Sequence, residues 1–274
     1  MAIEDSALRT FGNASTVAIH RIPDADAARP FLVFVRAGAD PIEQTHWNLL
    51  APGRRFDVLA SFYAPPRPDC WLLRSADYVT SGGLSKFHAA KLLLSEPLVA
   101  RYAGVLFLDD DVETLFDPGV FADFVHGQAF GLAQASLTTD SFHSHPTTLN
   151  HPSCAWRETN FVEVMAPFFS REVLRLAITD FDRSISTWGL DILWGVRHVA
   201  SRMAVIDLFS MRHSRPVDTR DGPFYRYLRG IGVDPAGELL QIMDQLELRS
   251  FEITTTKVTF LPARIVRPTA APAG

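Results

Sequence analysis

The sequence predicts an α/β protein with one domain, in which helices flank a mostly parallel central β-sheet. Short apolar runs rich in β-branched and aromatic residues recur along the chain, and segments with helical spacing of apolar residues separate them. This alternation of strands and helices is typical of parallel sheets with covered faces. The 274 residues have a hydrophobic fraction of 47% and no internal repeat, and they can bury one large core.

The first strands are predicted from apolar runs that end in glycine or proline. "PFLVFVRAG" (30–38) ends near a glycine, and "RFDVLASFY" (55–63) is followed by the proline-rich "APPRP". "WLLRSADYV" (71–79) is predicted as a third extended segment. These three segments supply the first half of the predicted sheet.

A helix is predicted after the glycine pair at 82–83. Ser85 can begin it, because a serine hydroxyl accepts hydrogen bonds from the free N–H groups of a first helical turn. Apolar residues then follow at helical spacing as far as Leu94. The helix leads into "GVLFLDDDVETLF" (104–116), an apolar strand that ends in three consecutive acids.

The second half of the chain repeats the alternation. Four further apolar runs are predicted as strands, at 130–137, 160–169, 203–211 and 251–261. Helices are predicted from about Ser170, from near Asp191 and from Asp234 through Leu248. Residues 138–160 are rich in Thr, Ser, His, Pro and Asn, and we expect them to form a long loop that contributes to an acceptor site.

The composition excludes several classes of partner. The formal net charge is −5 and no dense run of Lys and Arg is present, so nucleic acid is not an expected partner. Two cysteines, Cys70 and Cys154, are too few for a disulfide framework and indicate a reduced, cytoplasmic protein. No apolar run reaches the length of a membrane span, so we expect no integral membrane segment. Peripheral attachment to a membrane stays open.

The acidic end of the 104–116 strand is the main candidate site. Side chains alternate along a strand, so Asp109 and Asp111 share a side and Asp110 points the other way. In open α/β sheets, ligands bind at the carboxyl ends of strands. Two neighbouring carboxylates repel each other unless a proton or a cation lies between them, and they suit Mg²⁺ or Mn²⁺. The alternative is a solvated acidic turn.

Several segments, in order, resemble the GT-A glycosyltransferases. "ARYAGVLFLDDDVETLF" (100–116) is similar to the strand that carries the Asp-x-Asp motif of those enzymes. "NFVEVMAPFFSREVL" (160–174) and "WGLDILWGVRHVASRMAVIDLFSMRHSRPV" (188–217) resemble a poorly characterised glycosyltransferase-like family, a domain of unknown function in bacteria and plants. The ordered set of Asp-x-Asp, Trp-Gly-x-Asp and a late His is more specific than Asp-x-Asp alone.

The resemblance implies a Rossmann-like GT-A domain over residues 30–265. An N-terminal extension (1–29) would precede it and a flexible tail (266–274) would follow. The implied activity is a metal-dependent glycosyltransferase that uses Mn²⁺ or Mg²⁺. The implied donor is a nucleotide-diphospho sugar, with a UDP-sugar favoured, and the acceptor is a glycan or a small molecule.

The resemblance also implies roles for single residues. Asp111 would coordinate the cation, Asp109 would contact the cation or the ribose, and Asp110 would hold the ribose or its neighbouring backbone. His213 matches a further metal ligand of many GT-A enzymes, although a loop histidine is the alternative. Asp191 in "WGLD" matches the base that takes the acceptor's hydroxyl proton, although an acid at a helix start also stabilises the helix by itself.

Four further residues are candidates for the substrate sites. Lys86 begins a helix, where anions are favoured, and Arg36 follows the first strand, so both are predicted to bind the donor. A solvated surface lysine is the alternative for Lys86. Glu163 is an acid on an apolar segment, which needs a partner or faces the acceptor. Trp188 is predicted to stack on a sugar, with a place in the core as the alternative.

Two other functions compete with glycosyl transfer. A metal-dependent phosphohydrolase or nuclease would also use an acidic strand end, but it would want a second carboxylate cluster. A non-catalytic relative would bind nucleotide or glycan as a module. The chain lacks the His-x-x-Gly-x-x-Lys-Pro-Trp motif of glycogenin-like retaining enzymes, which favours inversion.

Overall fold

A computed structural model of the chain describes residue 12 and residues 14–22, 29–198 and 201–262. The predicted flexible tail (266–274) lies outside the described residues, as does most of the predicted extension (1–29). The described part of that extension includes a strand at the edge of the sheet. None of the described helices has the length and apolar character needed to cross a membrane.

The described strands and helices alternate along the chain. The strands are β1 Val17–Arg21, β2 Phe31–Ala37, β3 Phe56–Phe62, β4 Tyr78–Gly82, β5 Gly104–Asp109, β6 Val112–Thr114, β7 Leu132–Leu137, β8 Cys154–Thr159, β9 Phe168–Ser170, β10 Met203–His213 and β11 Thr255–Phe260. The α-helices are α1 Trp71–Ser75, α2 Lys86–Leu93, α3 Glu96–Val99, α4 Pro118–Gly127, α5 Arg171–Ala177, α6 Leu190–Arg197, α7 Pro223–Gly230 and α8 Pro235–Gln245.

All described strands belong to one mixed sheet. Its order is β1-β4-β3-β2-β5-β9-β7-β10-β8-β11, and β6 pairs with β10. Strands β4, β3, β2 and β5 are parallel, and so are β7 and β10. Strand β9 is antiparallel to both β5 and β7, so these two run in the same direction. The predicted α/β class with a mostly parallel sheet is confirmed, and the carboxyl ends of β2, β3, β5, β7 and β10 share one edge.

The central strands are buried on both faces, which explains their continuous apolar sequence. Hydrophobic clusters cover each face, and side chains of β2 alternate between them. Phe107 of β5 packs against Phe34 and Phe87 with ring centroids 5.4 Å apart. Complete burial of one such ring stabilises the fold by about 1.5–3 kcal/mol.

Three predicted segments differ from the structure. Residues 71–79 are not one extended segment, because 71–75 form the helix α1 and β4 begins only at Tyr78. The predicted loop 138–160 contains β8, which pairs with β10 and β11. The predicted strand 160–169 is strand only from Phe168, and residues 160–167 have irregular backbone. Short apolar runs fit a helix and a strand equally well, so their pattern alone decides neither.

Candidate active site

The candidate site lies where the carboxyl ends of β5 and β10 meet the start of α6. Strand β5 ends at Asp109, and the chain then turns into β6. Strand β10 pairs with β6 so that His213 lies opposite Val112. The backbone N–H of Ser214 donates to the Asp111 carbonyl oxygen at 3.0 Å. Sheet pairing therefore fixes a residue from late in the chain beside the acidic turn.

Asp111 and His213 form a carboxylate–imidazole pair. The His213 Nε2 atom lies 3.4 Å from Asp111 Oδ2, and Nδ1 lies 2.9 Å from the carbonyl oxygen of Phe142. A carbonyl accepts but cannot donate, so Nδ1 carries the proton and Nε2 faces the carboxylate. Burial acts to lower the pKa of His213, but Asp111 outweighs it and the pKa is raised. Burial acts to raise the pKa of Asp111, but the contact with His213 acts in the opposite direction, and the pKa of Asp111 is lowered.

Asp109 forms an ion pair with Lys86. The Lys86 Nζ atom lies 2.8 Å from Asp109 Oδ1 and donates to the Met165 carbonyl oxygen at 2.7 Å. Burial lowers the pKa of Lys86 and raises that of Asp109, and the ion pair opposes both changes. Lys86 therefore begins α2 as predicted, but its ammonium group contacts the acidic strand end.

Asp110 faces the loops that follow β2 and β3, away from His213. Its Oδ2 atom accepts hydrogen bonds from the Gly38 N–H at 2.7 Å and from the Tyr63 hydroxyl at 2.9 Å. Arg215 lies 3.4 Å from Oδ1. Burial raises the pKa of Asp110 to about 6, although the Gly38 bond acts against the rise. Asp110 and Asp111 point to different partners as predicted, but they lie in the turn between β5 and β6, so the turn and not strand alternation separates them.

Arg36 is buried at the end of β2, and its guanidinium contacts groups of the neighbouring strands β3 and β4. Its guanidinium donates to the carbonyl oxygens of Gly82 and Gly83 and to the Ser61 hydroxyl, at 2.5, 2.7 and 2.9 Å. Gly82 and Gly83 have φ values of +92° and +76°, a region that favours glycine. Burial lowers the pKa of Arg36 to about 10, so it stays charged at neutral pH. These contacts hold the turn before α2.

Asp191 lies in the first turn of α6, where it is 9% exposed. The Ile192 N–H donates to its Oδ1 atom at 2.9 Å. Burial raises the pKa of Asp191 to about 7, and this hydrogen bond acts against the rise. Gly189 precedes the helix with φ +84°, and its position against Ile242 leaves little room for a Cβ atom.

Glu163 is buried in the irregular segment between β8 and β9. Its backbone N–H donates to Gln134 Oε1 at 2.6 Å. Burial raises the pKa of Glu163 to about 8, and the negative charge of Asp191 adds to that rise. His213, Asp109 and Lys86 also affect this pKa through their charges, so all of these groups lie near Glu163.

Trp188 is half-buried in the segment that precedes α6. Its Nε1 atom donates to the hydroxyl of Tyr225 in α7 at 3.1 Å, and the two rings meet edge to face. Burial raises the pKa of Tyr225, and the charge of Asp109 contributes to the rise. Helix α7 therefore lines the site next to the acidic turn, a role that its sequence did not indicate.

The structure thus brings most of the predicted site residues together. Asp109, Asp111, Glu163, Asp191, His213 and Lys86 act on one another electrostatically. Asp110 and Arg36 lie toward the ends of β2 and β3. Beside Asp110 a cavity of about 440 Å³ opens between these loops, and its lining includes Trp71, Arg74 and Arg215. Gln134, Tyr225 and Arg215 were missed because single polar or aromatic residues in ordinary strands and helices carry no motif.

A divalent cation fits this arrangement with few protein ligands. Among the residues that the structure describes, no three His, Cys, Asp or Glu side chains form a metal-holding group. The Asp111–His213 pair offers one carboxylate and one imidazole nitrogen, and the Phe142 carbonyl fixes the other nitrogen as metal-binding histidines usually require. Magnesium and similar ions commonly take few carboxylates and complete their shell with phosphates and water.

Comparison with known proteins gives no family for this chain. No family model and no curated protein matches it. A197 from STIV is similar at 13% identity, over 67% of this chain and 84% of that chain, with a TM-score of 0.36. S. aureus TarS 1–349 in complex with UDP is similar at 14% identity, over 78% of this chain and 71% of that chain, with a TM-score of 0.42. Likenesses this weak decide neither fold nor function.

Proposed function

We propose that this protein is a metal-dependent glycosyltransferase that moves a sugar from a nucleotide-diphospho sugar to an acceptor hydroxyl, with inversion. One observation supports this above all others. The Asp111–His213 pair, with its atoms 3.4 Å apart, lies at the carboxyl edge of the sheet, and the charges of His213 and of the buried acid Asp191 both act on Glu163. A cation site beside a buried base is the combination that this chemistry needs.

Asp111 and His213 are the proposed cation ligands. Diphosphate oxygens of the donor and water would complete the shell. When bound, a divalent cation such as Mn²⁺ or Mg²⁺ supplies positive charge that offsets the charge of the leaving diphosphate. Asp109 is held by Lys86 at 2.8 Å and is left to contact the donor through its second oxygen.

Asp191 is the proposed general base. In the transfer step the acceptor oxygen forms a bond to the anomeric carbon, and the bond from that carbon to the diphosphate oxygen breaks. Its electron pair leaves with the diphosphate, and the acceptor's proton moves to an Asp191 oxygen. Burial favours this role, because a carboxylate out of water holds a proton more tightly.

The substitution Asp191→Asn tests this assignment. Release of nucleoside diphosphate from a panel of UDP- and GDP-sugars should fall by about 10²–10⁴-fold, the range that a positioned base contributes. Mn²⁺-dependent binding of UDP or GDP, measured by calorimetry, should stay as in the wild type. Release at a near-wild-type rate would rule Asp191 out as the base.

A further inference from the structure

One side chain of the candidate site, Glu163, has a polar atom that the fold leaves unsatisfied. Glu163 is 7% exposed, and within the described residues its Oε2 atom has no hydrogen-bond partner. A buried oxygen without a partner costs free energy, so native structures contain few of them. A ligand that enters the site would satisfy this atom.

The backbone around Glu163 is held from two sides by buried polar side chains. Gln134 Oε1 accepts a hydrogen bond from the Glu163 N–H at 2.6 Å, and Lys86 Nζ donates to the Met165 carbonyl oxygen at 2.7 Å. Gln134 is fully buried in β7 and Lys86 is 5% exposed in α2. These two bonds hold the backbone on both sides of Val164, in a segment that has no regular strand pairing.

Charged groups from four elements face Glu163. Asp191 of α6 and Asp109 of β5 are acidic, whereas His213 of β10 and Lys86 of α2 are basic. Burial is the largest influence and raises the pKa of Glu163 to about 8, with the two acids adding to the rise and the two basic groups opposing it. Without a bound cation, Glu163 therefore keeps a proton at neutral pH, because burial and the two acids outweigh the two basic groups.

We propose that Glu163 binds the acceptor as a neutral carboxylic acid whose Oε2–H donates a hydrogen bond to an acceptor oxygen. The proposal rests on the proposed transferase function. That oxygen differs from the attacking one, because a hydrogen bond donated to the attacking oxygen would weaken it as a nucleophile. The acceptor thus presents a second oxygen next to the reacting hydroxyl, as the neighbouring hydroxyl groups of a sugar do. Glycans and polyols are the class that fits.

Stability against pH tests the proton on Glu163 without any substrate. The ordinary pKa of a glutamate is 4.5, so the unfolded chain loses this proton at lower pH than the folded protein does. The folded state is therefore progressively disfavoured as pH rises from 4.5 toward 8. In urea unfolding with EDTA, the midpoint of Glu163→Gln minus that of the wild type should increase from pH 5 to pH 8. For Glu172→Gln, at an exposed position, this difference should not change with pH.

If the difference between the midpoints of Glu163→Gln and the wild type stays constant between pH 5 and pH 8, the claim that Glu163 is protonated is overturned. This conclusion does not depend on the activity of the protein. The infrared band of a protonated carboxyl offers the same test by spectroscopy. Asp191, whose pKa is raised to about 7, also contributes to this band at pH 7. The band should therefore be weaker in Glu163→Gln than in the wild type and in Glu172→Gln, and equal intensity in all three proteins would contradict the proposal.

The acceptor contact is tested with polyol probes. Methyl hexopyranosides should stimulate release of UDP or GDP from the nucleotide-sugar panel, and n-propanol should not. Glu163→Gln keeps a hydrogen-bond donor and should keep the stimulation within about threefold. Glu163→Ala should raise the KM for the polyol at least about tenfold and leave the KM for the donor unchanged.

Each outcome separates this inference from the proposed function. Equal polyol KM values in the wild type and Glu163→Ala would overturn the acceptor contact. Equal stimulation by n-propanol would overturn the polyol class. A wild-type protein that binds no UDP or GDP with Mn²⁺ would overturn the transferase function instead, and the stability test would still decide the protonation of Glu163.

Discussion

Asp191 combines two features with opposite effects on its acidity. It lies in the first turn of α6, where free N–H groups and the helix dipole stabilise negative charge. It is also buried, and burial dominates and raises its pKa to about 7. Backbone N–H groups of Ile192 and of Asp191 itself donate to the carboxyl and orient it. An oriented carboxylate of this basicity suits general-base chemistry at neutral pH.

The rate of nucleotide release should therefore depend on the protonation of Asp191. A base acts only when deprotonated, so kcat/KM should rise with pH up to about 7 and fall about tenfold per unit below it. The measurement is a kcat/KM profile from pH 5 to pH 8 with a UDP- or GDP-sugar that the wild type turns over. A rate that does not change between pH 5 and pH 7 would contradict the role of Asp191.

At the scale of elements, α8 holds the segment that leads to Asp191. Glu238 of α8 accepts hydrogen bonds from the Ser184 hydroxyl, the Ile185 N–H and the Ser186 N–H, at 3.0, 2.9 and 2.8 Å. Three donors on one carboxylate satisfy the polar groups of this turn, which sequence spacing does not reveal. The position of "WGLD" therefore depends on a helix about 50 residues later.

Removal of the Glu238 carboxylate should affect both stability and catalysis. Glu238→Ala leaves buried donors unpaired, which costs about 2–3 kcal/mol in the free energy of unfolding, and it loosens the approach to Asp191. Urea unfolding and nucleotide release should both report the loss. Asp244→Ala, an exposed position on the same helix, is the control. Equal unfolding midpoints for the two variants would contradict the role of Glu238.

The elements that the sequence predicted well are long and buried. Strands β2, β3 and β10 are seven or more residues long and mostly apolar, and their positions are confirmed. Helix α1 was missed because its five residues fit either pattern. Strand β8 was missed because its exposure alternates irregularly and its place depends on β10 and β11. The pairing of β8 with strands distant in sequence is not encoded in any local pattern.

At the scale of the whole molecule, β9 joins the two halves of the sheet. Three residues, Phe168–Ser170, pair with β5 on one side and β7 on the other. Gly104 of β5 makes this possible, since a Cβ atom there would lie 2.2 Å from Phe168 Cζ. Pairing across β9 also sets β5 and β10 in one direction, which brings the acidic turn and His213 to the same edge.

Gly104→Ala should therefore destabilise the whole fold. The added methyl group meets a buried ring and the Phe169 carbonyl oxygen, and overpacking of this kind costs about 1–3 kcal/mol. Gly127→Ala, which has nothing within 4 Å at the end of α4, should change stability by less than about 1 kcal/mol and in the stabilising direction. Urea unfolding measures both. A Gly104→Ala midpoint equal to that of the wild type would contradict the close approach.

Only part of the candidate site could be predicted, because several of its contacts form only when separate elements meet in the folded sheet. Asp109 and Asp111 follow a strongly apolar strand, so the pattern indicated them, whereas the resemblance of "WGLD" to GT-A enzymes indicated Asp191. The contacts of Arg36 and Lys86 with backbone carbonyl oxygens were not predictable, because long cationic side chains reach many partners. Gln134 and Tyr225 come from separate elements that only the folded sheet brings together.

Thermal unfolding with nucleoside diphosphates examines the cation site at Asp111 and His213. A ligand that binds only the native state stabilises it by mass action, by about 2.7 kcal/mol at a hundred times its Kd. UDP or GDP should raise the wild-type midpoint only when Mn²⁺ is present. Asp111→Ala and His213→Ala should lose this shift, and His126→Ala, which packs on Phe31 at the opposite end of the sheet, should keep it. A wild-type midpoint that neither nucleotide raises in Mn²⁺ would contradict the proposed function.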